Sequence, residues 1–97
     1  MAVHRFTAEL WRHEGEASWW FVTVPPEVSD DVREERVAAP GFGSVRVRVT
    51  VGGTTWSTSV FPDSRRGAYL LPVKADVRRR ERLDDGAPVD VALEVVG

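Results

Sequence analysis

The stretch from Ser44 to Pro62, SVRVRVTVGGTTWSTSVFP, constrains this chain more than any other. Val45, Val47, Val49 and Val51 alternate with Arg46, Arg48 and Thr50, a period of two that puts apolar groups on one face of a strand and polar groups on the other. Gly52-Gly53 then leads into Thr54 to Phe61, a second run rich in β-branched and aromatic residues. Glycine takes positive φ without steric cost, so a Gly-Gly pair between two such runs predicts a β-hairpin. A chain centred on this hairpin is expected to be mainly β.

The remaining segments supply its partners. Residues 3 to 13 predict a long first strand with Phe6, Ala8 and Leu10 on one face and Val3 and Trp11 on the other. That parity predicts a bulge or a strand covered in part on both sides. Ala17 to Val24, ASWWFVTV, predicts a second strand that is apolar on both faces, and therefore central or covered by a helix. Pro25-Pro26 ends it and suits a first helical turn. Glu27 to Arg36 predicts that helix, with Val28 and Val32 inward and acidic residues early, where the helix dipole favours them. Val37 to Gly43 reads as a loop. After the hairpin, Pro62 to Gly67 predicts a turn and Ala68 to Val73 a short strand. Lys74 to Arg82 predicts a second short helix, stopped by Leu83 to Gly86, and Val89 to Val96 a final half-buried strand.

The order strand, strand, proline, helix, strand occurs twice. Aligning Pro25 with Pro72 makes the two halves comparable in length and predicts two ββαβ units about a pseudo-twofold axis. Together they would form a closed six-stranded, double-split β-barrel capped by two short helices, without exposed sheet edges. The 97 residues are expected to form a single domain spanning residues 1–97, with a core drawn from the valines, four tryptophans and four phenylalanines. No cysteine is present, which excludes a disulfide framework, a thiolate metal site and a cysteine nucleophile. A net charge of −2 gives no bulk attraction to nucleic acid or anionic lipid. The N-terminal stretch is charged throughout, unlike a signal peptide, and no apolar run approaches the roughly 20 residues of a membrane span. A cytoplasmic protein, monomeric or weakly dimeric and without a membrane partner, is expected.

Six short patterns carry a family resemblance. They are F-x-A-x-L (Phe6, Ala8, Leu10), S-W-x-F-V-x-V-P (Ser18 to Pro25), S-V-R-V-x-V-T (Ser44 to Thr50), W-x-T-S-x-F-P (Trp56 to Pro62), Y-x-L-P-V-K-x-x-V-R (Tyr69 to Arg78) and G-x-x-V-x-V-x-L (Gly86 to Leu93). In this combination the chain resembles the small bacterial family catalogued as domain of unknown function nineteen-oh-five. The resemblance implies a double-split barrel related to the swapped-hairpin AbrB-like transcription factors and antitoxins, and it implies no particular activity. Where it leads one to expect an apolar residue and a glycine closing the second helix, this chain has Glu81 and Arg82. Ala87 stands where an acidic residue commonly follows Gly86.

Few residues suggest catalysis, and no catalytic site, metal site or cofactor is expected. His4 and His13, nine positions apart on one strand, point to opposite faces and lie roughly 30 Å apart. The acidic run from Glu27 to Glu35 reads as a solvated helix face. Ser57 and Ser59 have no G-x-S-x-G elbow, and no glycine-rich nucleotide motif occurs. Two basic groups remain. Arg65, Arg66, Lys74, Arg78, Arg79, Arg80 and Arg82 make one segment locally basic. Arg46 and Arg48 share the polar face of the central strand, where cross-strand pairing with acidic neighbours is the alternative to ligand binding. Arginine binds carboxylate and phosphate bidentately and stacks on rings. The favoured expectation is therefore a binding module for a small anionic ligand or a protein partner, using Arg46, Arg48, Trp56, Ser59, Lys74 and Arg78. DNA binding of the AbrB-like type is the alternative, and an uncharacterised enzyme the third.

Overall fold

The computed structural model describes residues 2–15, 18–36 and 43–96. Its elements are β1 (Val3–His13), β2 (Trp19–Thr23), α1 (Pro26–Glu35), β3 (Val45–Val51), β4 (Thr54–Asp63), β5 (Ala68–Pro72), α2 (Ala75–Arg80) and β6 (Pro88–Val95). The six strands close into a barrel in the order β1-β2-β5-β4-β3-β6, every neighbouring pair antiparallel. Residues 37–42 of the loop expected from Val37 to Gly43 lie outside the described residues. No helix is long and apolar enough to cross a membrane among the described residues.

Alternation decides what fills the barrel. Val45, Val47, Val49 and Val51 of β3 point inward with Val89, Val91, Leu93 and Val95 of β6, all buried, while Arg46 and Arg48 face solvent. Leu10, Val22, Val24, Val60, Tyr69 and Leu71 complete the centre, and Val32 and Val77 close it from α1 and α2. On β1 the pairing to β6 is regular from Val3↔Glu94 to Glu9↔Pro88, so the odd parity of Val3 and Trp11 does not mark a bulge there. Both point outward. Val3 is exposed, and Trp11 is covered by Phe21 and by the Arg66 guanidinium, 4.3 Å above its ring.

The hairpin turns at Gly52-Gly53 with positive φ at the first glycine, 58°. That is the II′ arrangement, which requires glycine at the first central position. A Cβ on Gly52 would also stand 1.9 Å from Glu81 Oε1. Glu81 closes α2 and accepts a hydrogen bond from Thr54 Oγ1 at 2.7 Å, tying that helix to the hairpin. The unexpected Glu81 therefore has a structural task. Arg82 follows with φ of 54°, and the bonds Leu83 N→Arg78 O and Arg82 N→Arg79 O form a Schellman motif whose left-handed position glycine fills best.

β4 runs through Pro62 to Asp63, into the turn expected from Pro62 to Gly67. Pro62 pairs with Tyr69, whose N–H and C=O both point away from β4, toward Ser29 and Val24. It is a non-hydrogen-bonded pair, so the missing proline N–H costs no ladder bond.

The twofold relation is present in the backbone. The ring order is unchanged when β1, β2 and β3 are exchanged with β4, β5 and β6. Its axis passes between Val22 and Leu71, which pair directly, flanked by Phe21↔Pro72 and Thr23↔Leu70. One constant shift then carries Val24 to Val73, Trp20 to Tyr69 and the helix start Pro26 to Ala75. The bonds Val24 N→Tyr69 O and Val73 N→Trp20 O, both 2.9 Å, are images of each other. The partner of Pro25 is thus Lys74, each preceding its helix as the N-cap. The alignment of Pro25 with Pro72 is two residues out of register, because each proline marks a local strand end while the axis is set by pairing between the halves.

Candidate functional site

The twofold relation creates two equivalent seams, one where α1 meets the end of β5 and one where α2 meets the end of β2. At the first, Ser29 is fully buried and its hydroxyl is inserted into the ladder. Ser29 Oγ donates to Val24 O and accepts from Tyr69 N–H, both at 3.0 Å. Tyr69 is itself buried and carries the Arg33 guanidinium 5.6 Å above its ring. His4 Nε2 meets Glu35 Oε2 at 2.6 Å beside this cap. The N–H and C=O of both Val24 and Tyr69 thus have partners, and the seam between these two strand ends is sealed.

At the second seam Arg78 occupies the position of Ser29. Arg78 Nε donates to Val73 O at 3.2 Å, the image of the serine's bond to Val24 O. Its guanidinium lies 4.8 Å above the Trp20 ring. Arginine has no acceptor atom, so nothing replaces the oxygen that Ser29 offers to Tyr69. The Trp20 N–H, image of the Tyr69 N–H, forms no hydrogen bond to the described residues. Beside it opens a cavity of about 420 Å³ lined by Trp20, Trp56, Ser57, Pro72, Lys74 and Arg78 among others. Among the described residues no carboxylate lines it and Lys74 makes no ion pair. Two cations, a free N–H, hydroxyls and indole rings suit an anion attached to a flat apolar body.

Three of the six residues singled out from the sequence, Trp56, Lys74 and Arg78, meet in this cavity. The other three lie elsewhere. Arg46 and Arg48 stand on the outer face opposite Ser59 and Ser57. Arg48 Nη1 reaches Glu94 Oε1 of β6 at 3.2 Å, the cross-strand pair that was the alternative reading. Trp56 is directly opposite Val49, and directly opposed residues share a face. Its ring therefore joins the inner side, with the core and away from both arginines. Sequence reasoning missed Trp20 and Ser29, although Trp20 shares its face with buried Val22.

The basic segment from Arg65 to Arg82 is divided by the fold. Arg79 pairs with Asp76 and Arg66 with Asp63. The Arg66 side chain, assisted by the Arg65 N–H, holds the Asp63 carboxyl below the ordinary aspartate value despite some desolvation. His13 lies against Trp11 and Phe21, far from His4 along β1. Among the described residues no cluster of three histidine, aspartate or glutamate side chains could hold a metal ion.

No curated protein matches the chain in sequence. The family model described as Domain of unknown function (DUF1905) matches residues 6–93, from Phe6 on the first strand to Leu93 on the last. The barrel has the closed six-stranded form expected of that resemblance, and the chain belongs to the DUF1905 family.

Proposed function

We propose that this protein is a binding module for a small anion with an aromatic or otherwise flat body, held at the open seam. The observation that carries the reading is the unbridged Trp20 N–H beside Arg78 and Lys74, where the twofold-related seam holds the oxygen of Ser29. A carboxylate or phosphate oxygen would take the place of that hydroxyl. Arg78 and Lys74 would neutralise it, and the body would lie against Trp20, Trp56 and Pro72. Charge-assisted bonds of this kind are roughly twice as strong as neutral ones. The alternative of DNA recognition receives less support, because two of the arginines it draws on are in ion pairs with Asp63 and Asp76.

The test is thermal unfolding with a panel of aromatic carboxylates, aryl phosphates and inorganic phosphate. A ligand at 100 times its Kd adds about 2.7 kcal/mol, roughly 10–20 °C in a domain of this size. At least one aromatic anion should raise the midpoint in the native protein and in Arg48→Ala, and lose its effect in Lys74→Ala. A panel without effect, or an effect that depends on Arg48 and not Lys74, counts against the reading.

A further inference from the structure

The outer face of the barrel over β1, β2, β5 and β4 carries a second concavity that neither helix covers. Its floor is aromatic. Trp11, Phe21 and Trp19 form one continuous group, with Trp19 and Phe21 stacked at 6.1 Å and 10°. Phe61 and Leu70, the twofold images of Trp11 and Phe21, continue it across β5 and β4. One side is raised by Gly15 of the β1–β2 connection and the other by Arg65 and Arg66 of the β4–β5 connection. The trough between them measures about 680 Å³.

Three large apolar side chains are exposed among the described residues, and two of them, Trp19 at 53% and Phe61 at 44%, are here. Contiguous exposed aromatic surface of this kind marks an interaction site, and aromatic residues with arginine are the types enriched in the centres of protein interfaces. The four strands are paired to one another beneath the trough, so it offers no strand edge for β-addition. Recognition there must go through side chains.

The charge around the trough selects the occupant. Its one carboxylate among the described residues, Asp63, is taken by Arg66. Arg65 makes no ion pair among the described residues, and His13 lies against Trp11 and Phe21 of the aromatic floor. The wall is thus cationic in a protein of net charge −2. A second copy fits poorly, because a two-fold contact needs a self-complementary surface and two concave troughs facing each other leave a void. Single-stranded nucleic acid needs a positive groove that tracks its backbone, whereas these cations stand mainly on one wall.

We propose that the trough docks an extended acidic segment of a partner protein. One aromatic or long aliphatic side chain of that segment seats between Trp19 and Phe61, and its carboxylates meet Arg65, the arginine of the wall that Asp63 leaves free. Trp19 borders both cavities, but Phe61 and Arg65 border this one alone, so the proposal stands or falls independently of the anion site.

The test selects a phage-displayed library of random peptides on the full-length protein and measures the enriched peptides as synthetic, fluorescently labelled probes. Enriched sequences are expected to combine an aromatic or leucine-like anchor with flanking aspartate or glutamate. Their affinity should fall at least tenfold in Phe61→Ser and in Arg65→Glu, and stay unchanged in Lys74→Ala. Circular dichroism of each variant controls for folding, and Arg65→Glu, on an exposed connection, supplies the answer if Phe61→Ser fails to fold. These outcomes overturn the proposal: no enrichment, enrichment of basic or charge-free peptides, affinity indifferent to both substitutions, or oligo-dT bound through Phe61 and Arg65 in place of peptides. Concentration-dependent dimerisation lost in Phe61→Ser also overturns it, in favour of a second copy.

Discussion

The two seams of this barrel are built from the same backbone bond and end differently. At the α1 seam Val24 N–H bonds Tyr69 C=O, and Ser29 bridges the return from Tyr69 N–H to Val24 C=O. At the α2 seam Val73 N–H bonds Trp20 C=O and Arg78 takes Val73 C=O, but among the described residues nothing returns to Trp20 N–H. A buried hydroxyl can donate and accept at once, and a guanidinium can only donate. One substitution at equivalent positions thus separates a junction that completes its own hydrogen bonds from one that asks for an acceptor. The rings follow suit: Tyr69 is buried and Trp20 is half-exposed to the cavity. In a duplicated fold, one copy can keep the structural solution while the other is free to carry a site.

The largest expected effect breaks the sealed seam. Ser29→Ala leaves Tyr69 N–H and Val24 C=O facing each other across the space of a lost oxygen. An unsatisfied buried polar group costs about 1–3 kcal/mol, so chemical denaturation should show a loss in that range with an unchanged m-value. Converting the open seam into the sealed one is the sharper experiment. Arg78→Ser should let a hydroxyl bridge Trp20 N–H and Val73 C=O, with a stability change within about 1 kcal/mol of the native protein. It should abolish the response to aromatic anions. A smaller effect concerns the helix ends. α1 leaves through Arg36 in extended conformation, and α2 leaves through Arg82 in the left-handed region. Arg82→Gly removes the strain of a side chain there and should stabilise by about 1 kcal/mol, part of the gain being lost to unfolded-state entropy. Equal destabilisation by the change would mean that the Arg82 side chain makes an essential contact.

The strands were legible in the sequence because each is half-buried, and burial writes its period into the residues: VRVRVTV could be little else. Helix α1 was legible from Pro25-Pro26 and from Val28 and Val32. Grouping Trp56 with Arg46 and Arg48 across the hairpin overlooked the register, which the alternation of its own strand does not show. A two-residue turn pairs Val51 with Thr54, and counting back from that pair puts Trp56 opposite Val49 and away from Arg48. Register between strands, set by the turn, decides which neighbours a ring meets. Ser29 could not be read this way. Its partner Tyr69 is 40 residues distant, and a lone serine on a short amphipathic helix looks like any solvated one. The true axis of the duplication was hidden for the same reason, since it rests on the pairing of Val22 with Leu71 across halves that share almost no residues.

One backbone donor is satisfied by the fold at Tyr69 and, among the described residues, left without a partner at its image, Trp20. Residue-resolved amide hydrogen exchange by NMR measures that difference directly. Without ligand, the Tyr69 amide should exchange only with the unfolding of the α1 seam, at least a hundredfold more slowly than the Trp20 amide. Addition of a bound aromatic anion should slow Trp20 and leave Tyr69 unchanged. Equal protection of the two amides in the free protein, or slowing at Arg46 and Arg48 in place of Trp20, would contradict the account.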